Sequence, residues 1–187
     1  KLDNTVILFL SDNGPEGADL SQSHLLEGWL ENFDNSFENI GRAGSYIFYG
    51  PNWAHATTAP MRMYKAFTSE GGTRVPAFVW TADYDSNGKI YDNPVFVTDI
   101  APTLVEIAGL DPDKAIPEHK REYAFEGTSF TALIEGQETF RNEDRLLAWE
   151  LFGRKAIRHG DWKALRMEAP AGTGKWELFD LKTDPGE

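Results

Sequence analysis

The sequence predicts an α/β protein, in which a parallel sheet with helices is followed by a small antiparallel sheet at the carboxyl-terminal end. Residues 5–10 (TVILFL) are apolar on both alternating faces, which is typical of a strand buried inside a parallel sheet. Residues 98–109 carry the capping residues and the apolar stripe of a helix. From residue 146 onward, short alternating runs are separated by turn residues, which indicates antiparallel strands.

The other elements follow in order along the chain. Residues 16–39 are polar and acidic with scattered apolar positions, which predicts a long excursion over a sheet edge with one or two helical turns. Residues 74–80 predict a second buried strand, in which Pro76 is tolerated only near the beginning, and residues 83–93 predict a loop. The closing strands are predicted at residues 146–152, 155–158, 162–167 and 176–181. We therefore expect two domains, an α/β part at residues 1–140 and an antiparallel subdomain at residues 141–187.

Composition excludes several classes of function. The 187 residues are 41% hydrophobic and 13% aromatic, which is typical of a folded globular protein. A net charge of -12 argues against duplex nucleic acid as a partner, because phosphate binding rests on clustered Lys and Arg. No apolar window is long enough for a membrane span, and without cysteine there is neither a disulfide nor a thiolate site. An anionic small substrate remains compatible, because Arg62, Lys65 and Arg74 form one local cluster of positive charge.

Asp12 and Asn13 stand directly after the first predicted strand. In open α/β sheets this edge is where ligands bind, and carboxylate and amide oxygens suit a hard cation such as calcium. Such an ion takes about six to eight oxygen ligands, so two side chains can form only part of a metal site. The alternative is a simple turn, because Asn-Gly is among the strongest turn dipeptides.

The tract at residues 53–76 is the second segment with chemically active side chains. Three motif segments occur in order: residues 12–14 (DNG), then Pro60, Arg62, Lys65, Glu70-Gly71-Gly72 and Pro76 in this tract, and finally residues 156–163 and 176–185. In these segments the chain resembles a sulfatase of the bacterial arylsulfatase type, within the alkaline phosphatase superfamily. The predicted helix, with Asp99, Pro102, Thr103 and Gly109, also follows the family pattern.

The resemblance implies a fold and a set of site residues. The parallel sheet would be part of an alkaline-phosphatase-like sheet, Asp12 and Asn13 would be ligands of a divalent metal, usually Ca²⁺, and Lys65 would contact the substrate sulfate. His55 is a candidate acid for the leaving group, with a structural or solvent-facing role as its alternative. Arg62 and Arg74 are expected to form ion pairs or to bind backbone carbonyls.

One departure from the family pattern limits the chemistry. Sulfatases of this type make a formylglycine from the Cys or Ser of a Cys/Ser-x-Pro-x-Arg motif, and this chain has no cysteine and no serine two places before a proline. The segment Thr58-Ala59-Pro60-Met61-Arg62 has a similar outline, but it is better explained as a polar approach to a helix with Pro60 in its first turn. The resemblance thus covers the carboxyl-terminal portion of the family, and we interpret the chain as a fragment.

The sequence therefore predicts a sulfuric ester hydrolase fragment that supplies metal-binding and sulfate-binding residues for a small sulfate ester and is inactive alone. The alternatives are a phosphonate or phosphate ester hydrolase of the same superfamily and a non-catalytic binding module. Coding sequence upstream of Lys1 would separate the module from the enzyme. Because a parallel sheet needs several neighbouring strands, we also expect an uncovered sheet edge or apolar face that favours self-association.

Overall fold

The computed structural model describes residues 2–21, 23–82, 88–137 and 145–187. The chain divides into two compact units, one formed by Lys1–Phe9 with Phe78–Arg145 and the other by Leu10–Ala77 with Leu146–Glu187. The predicted domain boundary between residues 140 and 141 lies outside the described residues, and so do residues 83–87 of the predicted loop at 83–93.

The first strand, β1 (Val6–Leu10), forms a two-stranded sheet with β2 (Ala77–Thr81). Ser11 N donates to Pro76 O at 3.2 Å, and the rings of Phe9 and Phe78 stack with centroids 5.2 Å apart. The end of β1 thus meets the beginning of β2, so the two strands run antiparallel, whereas the sequence predicted parallel neighbours. An apolar strand has the same side-chain pattern in either direction, so the pattern alone could not decide between them.

Both strands leave apolar side chains uncovered, although the sequence predicted that they are buried. Ile7, Phe9, Phe78 and Trp80 are 40–54% exposed. An apolar face was expected to remain open in a chain with few strands, and these four side chains form one. The self-association that we expect from it stays a prediction.

The predicted helix at residues 98–109 is confirmed as a 3-10 turn (Val97–Asp99) followed by α3 (Ile100–Ile107). The buried Asp99 carboxylate accepts hydrogen bonds from Phe96 N at 2.7 Å and Thr128 N at 2.8 Å, and it pairs with Arg145 Nη1 at 2.6 Å. Gly109, with φ +79°, ends the helix in the left-handed conformation that glycine adopts without strain. Short helices α4 (Pro112–Ala115) and α5 (Thr131–Ile134) follow, and a 3-10 segment (Glu118–Tyr123) separates them.

The carboxyl-terminal sheet is confirmed as four antiparallel strands in the order β3-β4-β5-β6. They span Leu146–Leu151, Arg154–His159, Trp162–Arg166 and Glu177–Asp180. Alternate residues point to one buried face, which carries Ala156, Leu165 and Met167. Partly buried side chains that include Met63 and Phe67 pack against this face. The sheet thereby contacts the tract that carries the candidate site.

The helix α1 (Gly50–Thr58) ends before Pro60, so the predicted helix with Pro60 in its first turn is wrong. The proline in the first turn of this helix is Pro51, where the missing N–H costs little. The short helix α2 (Glu70–Thr73) precedes β2, and the excursion at residues 16–39 contains two 3-10 turns, His24–Leu26 and Leu30–Asn32. None of the helices in the described part of the chain has the length and hydropathy of a membrane-spanning helix.

Candidate functional site: a carboxylate, amide and ammonium cluster

Asp12 and Asn13 form a turn directly after β1, as the sequence predicted. The Asn13 amide nitrogen donates to Asp12 Oδ1 at 3.2 Å and to Gly14 O at 3.1 Å. The Asp12 side chain is exposed and Asn13 is half-buried. Since the Asn13 side-chain nitrogen is engaged as a donor, the amide oxygen is the atom that remains to bind a cation. Amide oxygens are among the ligands that Ca²⁺ takes.

The backbone joins this turn to the segment that carries Lys65. Gly14 N donates to Gly72 O at 3.2 Å, and Lys65 N donates to Pro15 O at 3.1 Å. Gly14 lies so close to Gly71 that an added Cβ would overlap the Gly71 carbonyl oxygen. The structure therefore brings together two segments that are about fifty positions apart in the sequence.

The Lys65 ammonium pairs with Glu16, a residue that the sequence analysis did not single out. Lys65 Nζ lies 2.8 Å from Glu16 Oε2, and Ala18 N donates to Glu16 Oε1 at 2.9 Å, so both carboxylate oxygens are engaged. The hydrogen bond to Glu16 is the main cause that raises the pKa of Lys65, and the charge of Asp12 adds to it. The same hydrogen bond lowers the pKa of Glu16. Lys65 is therefore a stable cation within reach of the Asp12 charge.

His55 lies on α1 with an exposed side chain. The rings of His55 and Tyr64 pack edge to face with centroids 5.0 Å apart, and the rings of Tyr64 and Phe67 pack in the same way at 5.2 Å. These contacts place His55 against the residue that directly precedes Lys65. A role for His55 in proton transfer stays a prediction.

Thr58 cannot act as a free hydroxyl nucleophile in this arrangement. Its side chain is buried, and Oγ1 lies 2.9 Å from Met63 O and 3.1 Å from Ala54 O. The Thr58 hydroxyl is thus engaged as a hydrogen-bond donor to backbone carbonyls, which agrees with a structural role.

Arg62 binds backbone carbonyls, as expected. Its guanidinium donates to Ala171 O and, at 3.2 Å, to Glu187 O.

The described residues do not form a complete metal site by themselves. Within them, no group of three or more His, Cys, Asp or Glu side chains is arranged to hold a metal ion. Asp12 and Asn13 fit a hard cation by their oxygen chemistry, and further ligands would have to come from elsewhere.

Gly71 and Gly72 lie in the single-turn helix α2 and hold the Lys65 segment through close backbone contacts. Gly71 N donates to Arg62 O at 2.9 Å, and an added Cβ would overlap the carbonyl oxygens of Arg62 and Met63. Gly72 faces the carbonyl oxygens of Tyr64 and Phe67 in the same way. Only glycine permits this approach.

We expect Gly71→Ala to lower the free energy of unfolding by about 1–3 kcal/mol, the usual cost of overpacking. The added methyl group would overlap the backbone carbonyl oxygens of Arg62 and Met63, and backbone atoms cannot rotate away as a side chain can. Urea unfolding of the complete protein measures the change, and an unchanged midpoint would contradict the packing described here.

A buried ionic cluster behind the site was also not identified from the sequence. Lys163 Nζ on β5 lies 2.8 Å from both Glu70 Oε1 and Glu187 Oε1, and all three residues are buried or nearly so. The sequence held one indication of this cluster. Lys163 is two residues before Leu165 on β5, so both side chains point to the same, buried face of the strand. The partners of Lys163 come from distant parts of the chain, and no local pattern indicates them.

Comparisons with known proteins agree with the resemblance to a sulfatase. The sulfatase family model matches residues 1–110. An uncharacterized sulfatase of Schizosaccharomyces pombe is 38% identical over 198 residues, which cover 100% of this chain and 34% of that protein. An arylsulfatase of Klebsiella aerogenes is 39% identical over 114 residues, which cover 60% of this chain and 25% of that protein.

Solved structures agree with the predicted α/β class. The crystal structure of Ps i-CgsB in complex with k-i-k-neocarrahexaose is similar with a TM-score of 0.59 and 27% identity, over 100% of this chain and 32% of that chain. The chain thus spans 25–34% of the length of these three relatives.

Proposed function

Because the family model matches more than half of its residues, this chain belongs to the sulfatase family, and we propose that the complete protein hydrolyses a small sulfate ester. In this proposal the chain supplies one wall of the active site, with Lys65 as the sulfate-binding cation and Asp12 and Asn13 as metal ligands. The supporting observation is the backbone contact between the Asp12–Asn13 turn and the Lys65 segment. Two segments that carry the family's motifs meet there within one compact unit.

Hydrolysis of a sulfate ester needs positive charge where the sulfate group binds. Cleavage of a sulfate ester increases negative charge on its oxygens, and a fixed ammonium stabilises that charge best where water is excluded. Lys65 is half-exposed, so a bound ester would have to complete its desolvation. A divalent cation held by Asp12, Asn13 and ligands outside this chain would add charge stabilisation, and its oxygen ligands favour calcium.

Two groups complete the proposed reaction. His55 would protonate the departing alcohol, since its exposed ring packs on Tyr64, the residue that precedes Lys65 in the sequence. The nucleophile would be the formylglycine that the family resemblance implies, provided by sequence outside these 187 residues. The chain alone is therefore expected to be inactive, because loss of a covalent nucleophile costs several orders of magnitude in rate.

Turnover of paired substrates by the complete, metal-loaded protein tests the proposed reaction. We expect 4-nitrophenyl sulfate to have a higher kcat/KM than the corresponding phosphonate ester. A preference for the phosphonate ester would replace the proposal with phosphonate or phosphate ester hydrolysis. No turnover of either substrate would indicate a non-catalytic binding module, and turnover by the isolated chain would contradict its proposed inactivity.

A further inference from the structure

The backbone around Lys65 is held in an unusual conformation. Met63 has φ 61° and Ala66 has φ 73°, and both lie in the left-handed region although neither is glycine. Such conformations cost free energy and persist only where surrounding contacts enforce them. Lys65 stands between these two residues, so the contacts that enforce their conformation also fix the direction in which the Lys65 side chain leaves the backbone.

Three side chains enforce this conformation through the carbonyl oxygens of the segment. Ser69 Oγ donates to Arg62 O at 2.8 Å, and Thr58 Oγ1 donates to Met63 O at 2.9 Å. Both donors are close in sequence to the carbonyls that they bind. The third donor is distant, because Arg154 Nη1 donates to Ala66 O at 2.8 Å.

Arg154 contacts the residue after Ala66 as well. Its guanidinium lies over the Phe67 ring, 4.3 Å from the centroid. A planar guanidinium can stack on a ring and donate in its own plane at once, and a lysine ammonium cannot reproduce this pair of contacts. Arg154 thus fixes the two residues that directly follow Lys65.

Arg154 is itself held by a tight hairpin. It is the first residue of β4 and pairs with Leu151, the last residue of β3, across the two-residue turn Phe152-Gly153. Both turn residues have positive φ, 53° and 80°, as a type I′ turn requires, and Gly153 N donates to Glu150 Oε1 at 2.9 Å. The hairpin between β3 and β4 therefore fixes the position of the Arg154 backbone.

We infer that Arg154 is a positioning residue, which acts through the Ala66 carbonyl and the Phe67 ring to hold Lys65 in the orientation that binds an anion. This inference rests on the proposed function of Lys65. It assigns the carboxyl-terminal sheet a part in anion binding as well as in the core.

Binding of inorganic sulfate to the complete protein, measured by calorimetry, tests the inference. We expect Arg154→Ala to raise the Kd for sulfate about tenfold, the result of losing one well-placed charge-assisted hydrogen bond. Arg154→Lys keeps the charge and should still raise the Kd several-fold, so it serves as the test if Arg154→Ala does not fold. Millimolar ethylguanidinium should partly restore binding to Arg154→Ala, an effect that a purely structural role would not give.

Arg166→Ala is the matched control. Arg166 lies on β5 of the same sheet and also donates to a backbone carbonyl, Gly174 O, at 3.0 Å. Its removal should leave the sulfate Kd unchanged. An equal loss in Arg166→Ala and Arg154→Ala would overturn the inference, as would an unchanged Kd in a folded Arg154→Lys.

A double-mutant cycle separates this inference from the proposed function. If Arg154 acts through Lys65, Arg154→Ala should cause no further loss of sulfate binding once Lys65 is alanine. Additive losses would overturn the positioning role and leave the function of Lys65 intact. An unchanged Kd in Lys65→Ala alone would instead refute the proposed function, and the inference with it.

Discussion

Replacing Lys163 with methionine is expected to lower the free energy of unfolding by about 3–5 kcal/mol, because removal of one partner from a buried ion pair leaves an uncompensated charge. Lys163 is fully buried, and its ammonium neutralises both Glu70 and Glu187. Arg158 Nη1, 3.5 Å from Glu70 Oε2, cannot neutralise both carboxylates. Urea unfolding of the complete protein measures the loss. Lys155→Met, at an exposed position on β4, is the control and should change stability by less than about 0.5 kcal/mol.

The pH dependence of this loss distinguishes charge from packing. Burial raises the pKa of Glu187 despite the opposing charge of Lys163, and removing Lys163 should raise it further. A carboxyl group whose folded pKa exceeds its unfolded value favours the folded state at low pH, and this contribution is lost as the pH rises through the folded pKa. The deficit of Lys163→Met should therefore shrink as the pH falls through the raised folded pKa of Glu187, which lies above the ordinary glutamate pKa of about 4.3. A deficit that is the same at acidic and neutral pH would indicate that packing alone is responsible.

Replacing Lys65 with alanine in the complete protein is expected to reduce kcat/KM for an aryl sulfate about 10²–10³-fold, the range for loss of one preorganised group that stabilises developing charge. Stability should change little, because the Lys65–Glu16 ion pair is half-exposed and solvent screens its attraction. Steady-state kinetics at several pH values, together with a thermal unfolding curve, measure both effects.

Lys182→Ala is the control for this experiment, because Lys182 is also an exposed lysine but stands in the turn after β6. It should retain full activity. If Lys65→Ala folds normally and keeps its activity, Lys65 does not bind the sulfate. An equal loss in both variants would indicate a general effect of surface charge on substrate attraction.

Local patterns predicted most of the secondary structure. The strands β3 to β6 were located within two residues of their observed ends, because turn residues such as Gly153 and Gly160 separate them clearly. Helix α3 was predicted from a capping residue at Thr98 or Asp99 and from its end at Gly109. The helix assigned around Pro60 was wrong, because a proline is compatible with the first turn of a helix and also with the residues that follow one.

The sequence by itself determined which residues are candidates for sulfate chemistry, because Asp12, Asn13 and Lys65 stand in motifs that can be recognised along the chain. Their nearness was decided only by the tertiary structure, through contacts of Gly14 with Gly72 and of Pro15 with Lys65. The same holds for Glu16, Arg154 and the partners of Lys163, which meet their targets across long sequence separations. Side-chain periodicity records which face of an element is buried, but it carries no information about which distant residue covers that face.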